Sequence, residues 1–391
     1  MAGTISRGIK APIIKAGDDI VNVVVDSVLK AQEEDEFSLK EKDIIAVTES
    51  VVARAANNYC TVDDIADDVR EKLGDGTIGV VFPIMSRNRF AICLRGIARA
   101  AKKVVILLSY PRDEEGNSLN DEQDLPHYSY LDQVFSEKTF KELFGVHKHK
   151  FTGVDYISYY KELMNSEGAE AEVIIGNRPL AIIDKVDSIL VCNIHGRDFT
   201  KNEISSSTDK TVLTLCDIMN YSRNGSGYNT DYGLLGSNKS TEEKVKLFPN
   251  DCFDVAKDIQ KEYFNRTGVR VEAMVYGDGA YKDPVGKIWE LADPAVSPGF
   301  TDGLNRLPNE LKLKYLADDE FKNLSGKELE DAIKERIKEK DKELFGRMES
   351  QGTTPRFIPN LLGSLCDLTS GSGDKGTPIV VIQNYFDNYT D

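Results

Sequence analysis

The stretch from Ile78 to Ser109 constrains the fold more than any other part of the chain. It holds two apolar runs of strand length, Ile78 to Met85 and Lys103 to Ser109, with a helix-patterned segment from Arg89 to Ala101 between them. Near-continuous apolar runs suit strands buried on both faces. A strand, helix, strand order makes the second strand parallel to the first. Further on, Val173–Ile175, Ala181–Ile183 and Ser188–Cys192 are short apolar runs separated by turn residues. That spacing predicts an antiparallel patch. The expected class is therefore α+β, or mixed α/β.

The flanks predict further elements. Asp18 and Asp19 open a helix with Ile20, Val23, Val24 and Val28 on its apolar face, and Ile44–Val47 is a strand ending at Thr48. Thr61 to Asp64 opens a helix that stops at Gly74. An acidic or hydroxyl side chain before such a stripe caps the free N–H groups of the first turn. Residues 111–150 and 220–245 read as long polar loops. Asp254–Tyr263 is a helix, Val269–Tyr276 a strand, 327–345 a charged surface helix, Ile358–Leu368 a helix and Pro378–Gln383 a strand.

A chain of 391 residues has room for two or three domains, or for one core with large insertions. With 40% hydrophobic and 29% charged residues it is not disordered throughout. Acidic residues outnumber basic ones 65 to 49, a net charge of −16, which argues against a nucleic-acid partner. An acidic chain that handles phosphates needs divalent cations or a few well-placed Lys and Arg. No apolar run approaches the roughly 20 residues of a membrane helix, and residues 1–10 hold no signal-like apolar segment. The cysteines, Cys60, Cys93, Cys192, Cys216, Cys252 and Cys366, are widely scattered, as expected of reduced thiols in a cytoplasmic protein.

Four loops carry candidate chemistry. The first is Ala11-Pro12-Ile13-Ile14-Lys15-Ala16-Gly17-Asp18-Asp19, a turn whose backbone can meet a phosphate or a base edge. The second follows a strand: Thr48-Glu49-Ser50, with Arg54 one helical turn beyond Ser50, an arrangement suited to an anion. The third is Tyr276-Gly277-Asp278-Gly279, where a carboxylate at a strand end can take Mg²⁺ or Mn²⁺. The fourth is Gly371-Ser372-Gly373-Asp374-Lys375-Gly376, whose successive N–H groups can nest an anion. Each can also be an ordinary turn. Elsewhere, Arg87, Asn88, Arg89 and Arg95 surround a helix start and suit a carboxylate or phosphate. His195, with Arg197 and Asp198, follows a strand and suits a general base or an acceptor clamp. His147 and His149 are expected on the surface.

The order of these loops resembles one family. IIKAGDDI, TESVVARA, a GSN triplet after a glycine-rich stretch, YGDG at a strand end and GSGDKGTPIVVIQ occur in the sequence of motifs found in the coenzyme F-420 γ-glutamyl ligases. The blocks lie near 10–75, 225–295 and 355–390. The resemblance implies a γ-glutamyl ligase-like core with an inserted lobe. Residues 1–78 form its first part, 79–220 the lobe on the acceptor side, 221–300 the core with the metal loop, 301–352 a helical insertion and 353–391 the closing loop and strand. It places Ala11, Pro12, Ile13, Ile14, Glu49, Ser50, Arg54, Asn238 and the loop Gly371 to Gly376 against GTP, with ATP as the alternative. It places Asp278 on a metal. A second family aspartate falls on Leu235, with Asp231 as a nearby replacement. The acidic residue of the last loop falls on Ser372, with Asp374 as its replacement. Arg54 stands where the family has Lys.

By the same resemblance the expected activity is an amide ligase. A nucleoside triphosphate phosphorylates a carboxylated small-molecule acceptor, and the amine of glutamate or another amino acid displaces phosphate. Arg54 and Asp278 are its expected catalytic residues, Mg²⁺ or Mn²⁺ its metal, and a homodimer its assembly. A nucleotide-binding protein without catalysis, or a metal-dependent phosphate hydrolase, is the alternative.

Overall fold

The computed structural model describes residues 3–120, 128–149, 152–278, 281–282, 289–290, 294–344, 346–350, 357–370 and 373–390. The fold is mixed α/β, as the strand and helix patterns predict, and two large sheets dominate it.

The first sheet has the order β1-β16-β2-β12-β15. Its strands are β1 (Ile5–Ile9), β2 (Ile44–Thr48), β12 (Glu272–Tyr276), β15 (Gly299–Phe300) and β16 (Ile379–Gln383). β2 and β12 run parallel, while β16 lies antiparallel between β2 and β1. Side chains alternate across the strands. Ile45, Val47, Ala273, Val275 and Val381 pack on one face under helices α1 (Ile20–Glu34) and α8 (Cys252–Thr267). Ile44, Ala46, Met274 and Val380 pack on the other, under α11 (Ile358–Thr369).

The second sheet has the order β6-β7-β5-β4-β8-β9. Its strands are β4 (Thr77–Val81), β5 (Lys103–Leu108), β6 (Val134–Ser136), β7 (Glu170–Gly176), β8 (Ser188–Val191) and β9 (Val212–Thr214). All are parallel except the edge strand β6. β4, helix α4 (Phe90–Ala100) and β5 form the expected crossover unit. Helices α3 (Val62–Leu73), α4 and α6 (Tyr156–Ser166) cover one face, while α7 (Arg197–Ser205) and a 3-10 helix at Pro179–Lys185 cover the other. Gly96 lets α4 approach α3, since a side chain there would meet Ile65 and the carbonyl of Val62.

The antiparallel patch expected over 173–192 is corrected here. β7 and β8 lie in one parallel sheet on opposite sides of the β5–β4 pair, and Ala181–Ile183 belongs to the 3-10 helix. Both strands are buried on two faces, so their apolar runs carry no mark of direction.

The remaining elements are smaller. β3 (Tyr59–Thr61), β10 (Asn238–Lys239) and β11 (Lys244–Lys246) form a three-stranded sheet, and β13 (Tyr281–Lys282) pairs with β14 (Trp289–Glu290). Helices α2 (Glu49–Ala55) and α5 (Glu137–Phe144) follow strand ends. α9 (Leu313–Tyr315) and α10 (Gly326–Lys338) belong to a segment with a small core of its own, Leu311, Leu316, Ile333, Ile337 and Leu344. The expected caps are in place. Asp19 accepts from the Asn22 N–H, and Thr61 and Asp64 form a reciprocal capping box. Among the described residues no helix is long and apolar enough to cross a membrane.

Candidate functional site

Strand register brings the four loops to one end of the first sheet. Ile9 pairs with Ile379, Ile379 with Val47 and Val47 with Val275, so these residues form one row across four strands. One step beyond it the chain leaves the sheet at Lys10, Thr48 and Tyr276 and enters it at Pro378. Hydrogen bonds tie the loops together there. The Ala11 N–H donates to the Gly376 carbonyl at 3.1 Å, and the Thr48 N–H to the Pro378 carbonyl at 3.0 Å. The buried Tyr276 hydroxyl donates to the same Pro378 carbonyl at 3.2 Å. Burial pushes the Tyr276 hydroxyl far up from its ordinary pKa, so it stays a donor.

The first loop is held as a turn. Lys15 N–H donates to Asp18, and Gly17, at a φ of 89°, donates to the Ala55 carbonyl at the end of α2. Only glycine takes that backbone conformation without strain. Ile14 is buried, whereas Pro12 and Ile13 face solvent. In the second loop Thr48 caps α2, Ser50 lies in the first turn and Arg54 in the last. Arg54 is exposed, and its guanidinium has no hydrogen-bond or ion-pair partner among the described residues. In the fourth loop Gly373, Asp374 and Lys375 face solvent, and Gly376 closes a turn onto the Gly373 carbonyl. Gly371 and Ser372 lie outside the described residues.

Glu49 is placed differently from a surface contact. It is 5% exposed, and both carboxylate oxygens accept from the Lys246 ammonium, at 2.7 and 2.8 Å. Lys246 pairs across the small sheet with Asn238, which brings the Asn238 strand beside α2. Sequence reasoning passed over Lys246. The signal was a lysine inside the apolar run Val245-Lys246-Leu247-Phe248, all four buried. A lysine buried in such a run needs a carboxylate partner.

Asp278 meets the second sheet. Arg89, at the start of α4, donates to its carboxylate at 2.6 Å, while the Lys239 N–H donates to the Asn88 carbonyl. The Arg87–Arg95 cluster divides. Arg89 holds a carboxylate as the cluster reading expected, but of this chain, and Arg95 is taken by Glu167 and Glu243. Arg87 is exposed. His149 contacts Asn117, and His195 stands beside Glu115 in a separate place, past the end of β8.

The expected metal ligands do not gather as they stand. Asp231 and Asp374 are exposed, and Asp278 is paired with Arg89. Among the described residues no group of three or more His, Cys, Asp or Glu side chains can hold a metal ion. All six cysteines are free thiols.

No curated protein matches the chain. Among solved structures, the crystal structure of the tetrameric eIF2B-beta2-delta2 complex from C. thermophilum is 12% identical over 39% of this chain and 42% of that one, with a TM-score of 0.23. The crystal structure of eIF2B beta from Chaetomium thermophilum is 13% identical over 42% of this chain and 43% of that one, with a TM-score of 0.23. The chain thus spans under half the length of these structures, and likenesses this low carry no argument. A family model described as F420-0:Gamma-glutamyl ligase, by contrast, matches residues 8–384. That span takes in all four loops at the sheet end together with the whole second sheet, and the chain belongs to the F420-0:γ-glutamyl ligase family.

Proposed function

We propose that the protein is a nucleotide-dependent amide ligase that joins an amino acid, glutamate in the first instance, to a carboxylated small molecule. The family supports a ligase. The observation that carries the nucleotide reading is the convergence of four loops, distant in sequence, at one end of the first sheet. GTP, or ATP in its place, transfers its terminal phosphoryl group to the acceptor carboxylate. The amine then attacks the acyl carbon, the new C–N bond forms and inorganic phosphate leaves. Such chemistry needs positioning and charge neutralisation rather than a side-chain nucleophile.

In this reading Arg54 offers an open guanidinium to the phosphates, and the N–H groups of Gly373, Asp374 and Lys375 at the same sheet end add to it. Ala11 to Ile14 and Asn238 flank the nucleotide. The Glu49–Lys246 pair sets the start of α2 and so aims Ser50 and Arg54. Magnesium or manganese on the nucleotide would supply further charge neutralisation, with Asp278 its expected protein ligand. The described donors do not form a metal set by themselves, so no step is derived through the ion. Two copies of the chain in the assembly complete the proposal.

The test is incubation with GTP or ATP, with Mg²⁺ or Mn²⁺, glutamate or another amino acid, and a metabolite pool. Mass spectrometry then looks for an aminoacyl increment. Arg54→Ala should weaken nucleotide binding at least tenfold, since a charge-assisted hydrogen bond is worth about 1.5–3 kcal/mol. A second reading, nucleotide binding without catalysis, is favoured by the separation of Asp231, Asp278 and Asp374. It predicts calorimetric nucleotide binding with no product under any combination. No nucleotide binding at all would overturn both readings.

A further inference from the structure

Asp278 is the protein ligand expected for a divalent ion, and the structure puts a different cation on it. The chain leaves β12 at Tyr276 and reaches Asp278 two residues later, at the end of the first sheet. There the Arg89 guanidinium donates to the carboxylate, from Nη2 to Oδ2, at 2.6 Å. The Arg89 side chain is 18% exposed and that of Asp278 43%. A second cation therefore approaches a carboxylate that already carries a positive partner.

Arg89 is firmly mounted. Its N–H donates to the Ser86 hydroxyl at 3.0 Å, and the Ser86 N–H donates to the buried Tyr160 hydroxyl at 2.9 Å. That hydroxyl donates in turn to the Ile84 carbonyl at 2.8 Å. The next residue, Phe90, is buried and packs edge-on against the Tyr160 ring. The Lys239 N–H, on the Asn88 carbonyl, ties the Asn238 strand to the same helix start. A planar donor fork held this way loses little freedom when it pairs.

The position that would complete a metal site is apolar. The resemblance sets a second aspartate at Leu235. Leu235 is 2% exposed and lines one small cavity with Arg89, Phe90 and Leu234. No Asp or Glu is among the described residues around that cavity. Asp231 and Asp374, the replacements offered by the sequence, are exposed. The two features fit each other. A carboxylate at 235 asks for a cation of higher charge, whereas a leucine gives the arginine stem an apolar neighbour. A divalent ion on one carboxylate keeps a net positive charge and an octahedron to be filled from elsewhere. A guanidinium on one carboxylate leaves no net charge.

We propose that Arg89 takes the place of a protein-bound divalent cation on Asp278. The fixed positive charge at that carboxylate is a guanidinium, and the ligase reaction draws no metal ligand from Asp278. The part Arg89 plays in a reaction rests on the ligase reading. Its exclusion of metal from Asp278 does not, and can be measured without nucleotide.

The experiment is titration of the full, nucleotide-free chain with Mn²⁺, followed by electron paramagnetic resonance. A chain of net charge −16 collects Mn²⁺ weakly at many carboxylates, so the comparison is between variants. Wild type and Asp278→Asn should bind Mn²⁺ alike. Arg89→Met deletes the charge and keeps an apolar stem, with circular dichroism checking its fold. It should bind Mn²⁺ at least tenfold more tightly than wild type, the size of one charge-assisted hydrogen bond. The gain should vanish in Arg89→Met/Asp278→Asn, and Arg89→Lys, which keeps a monovalent cation, should stay near wild type. Weaker Mn²⁺ binding by Asp278→Asn than by wild type would overturn the proposal, and so would unchanged affinity in folded Arg89→Met. Should Arg89→Met fail to fold, the comparison of wild type with Asp278→Asn still decides. Calorimetry with GTP and ATP separates the two readings. If nucleotide binds and Asp278→Asn loses Mn²⁺, the Arg89 proposal falls and the ligase reading survives. If the Mn²⁺ results hold and no nucleotide binds, the ligase reading falls alone.

Discussion

Replacing Lys246 by methionine tests the arrangement at the first site directly. The substitution keeps most of the side-chain volume and deletes an ammonium lying 2.7 and 2.8 Å from the two oxygens of Glu49. The two side chains are 9% and 6% exposed, so water does not replace the lost contacts. Removing one partner of a buried pair costs about 3–5 kcal/mol. Glu49 is the first residue of α2, and the helix N-terminus returns up to about 1 kcal/mol to its charge. The lower end of the range, about 3 kcal/mol, is therefore expected for Lys246→Met, which corresponds to a more than hundredfold change in the unfolding constant. Glu49→Leu alone should cost a similar amount. The double variant removes both charges and should cost far less than the sum, because replacing a whole buried pair by apolar groups is often neutral. Urea unfolding of the four proteins, followed by far-UV circular dichroism, closes the cycle. A single-variant cost below about 1 kcal/mol, or strict additivity in the double variant, would refute the buried pair as an energetic unit.

Other consequences are as direct. Burial pushes the Asp68 carboxyl up, but hydrogen bonds from Lys72, the Met219 N–H and Arg223 outweigh it and hold the pKa below 3.8. Its contribution to stability is thus present above the unfolded-state value and lost as pH falls through the lower folded value. Asp68→Asn should flatten the decline of unfolding free energy below about pH 4, and an unchanged acid slope would contradict this. Burial pushes Cys93 up to about 11 and holds Cys60 and Cys192 well above the ordinary thiol value. Of the six thiols, only the half-buried Cys216 should react with Ellman's reagent in the native state, and rapid reaction of a second thiol would count against the packing. Gly96→Val places methyl groups where Ile65 already stands and should cost at least about 1–3 kcal/mol, read as a lower urea midpoint.

Local features were legible where local physics decides them. Asp19, Thr61 and Asp64 cap the helices their spacing announces, and the apolar runs at β4 and β5 form the parallel pair their intervening helix requires. β7 and β8 were misread because direction is set by where the chain crosses, which a buried apolar run does not record. The site depended still more on distant partners. Lys246 finds Glu49 across nearly two hundred residues, and Arg89 finds Asp278 across a similar span. Neither partnership leaves a periodic trace. The gathering of the four loops follows from one structural fact, the order β1-β16-β2-β12, which lays the end of the chain between its first two strands. Residue pattern supplies each of those strands but not their order, so the resemblance carried that inference. His195 reads in the sequence as a strand-end general base or acceptor clamp, but the Glu115 carboxylate beside its ring comes from a different loop and is met only once β8 lies beside β4.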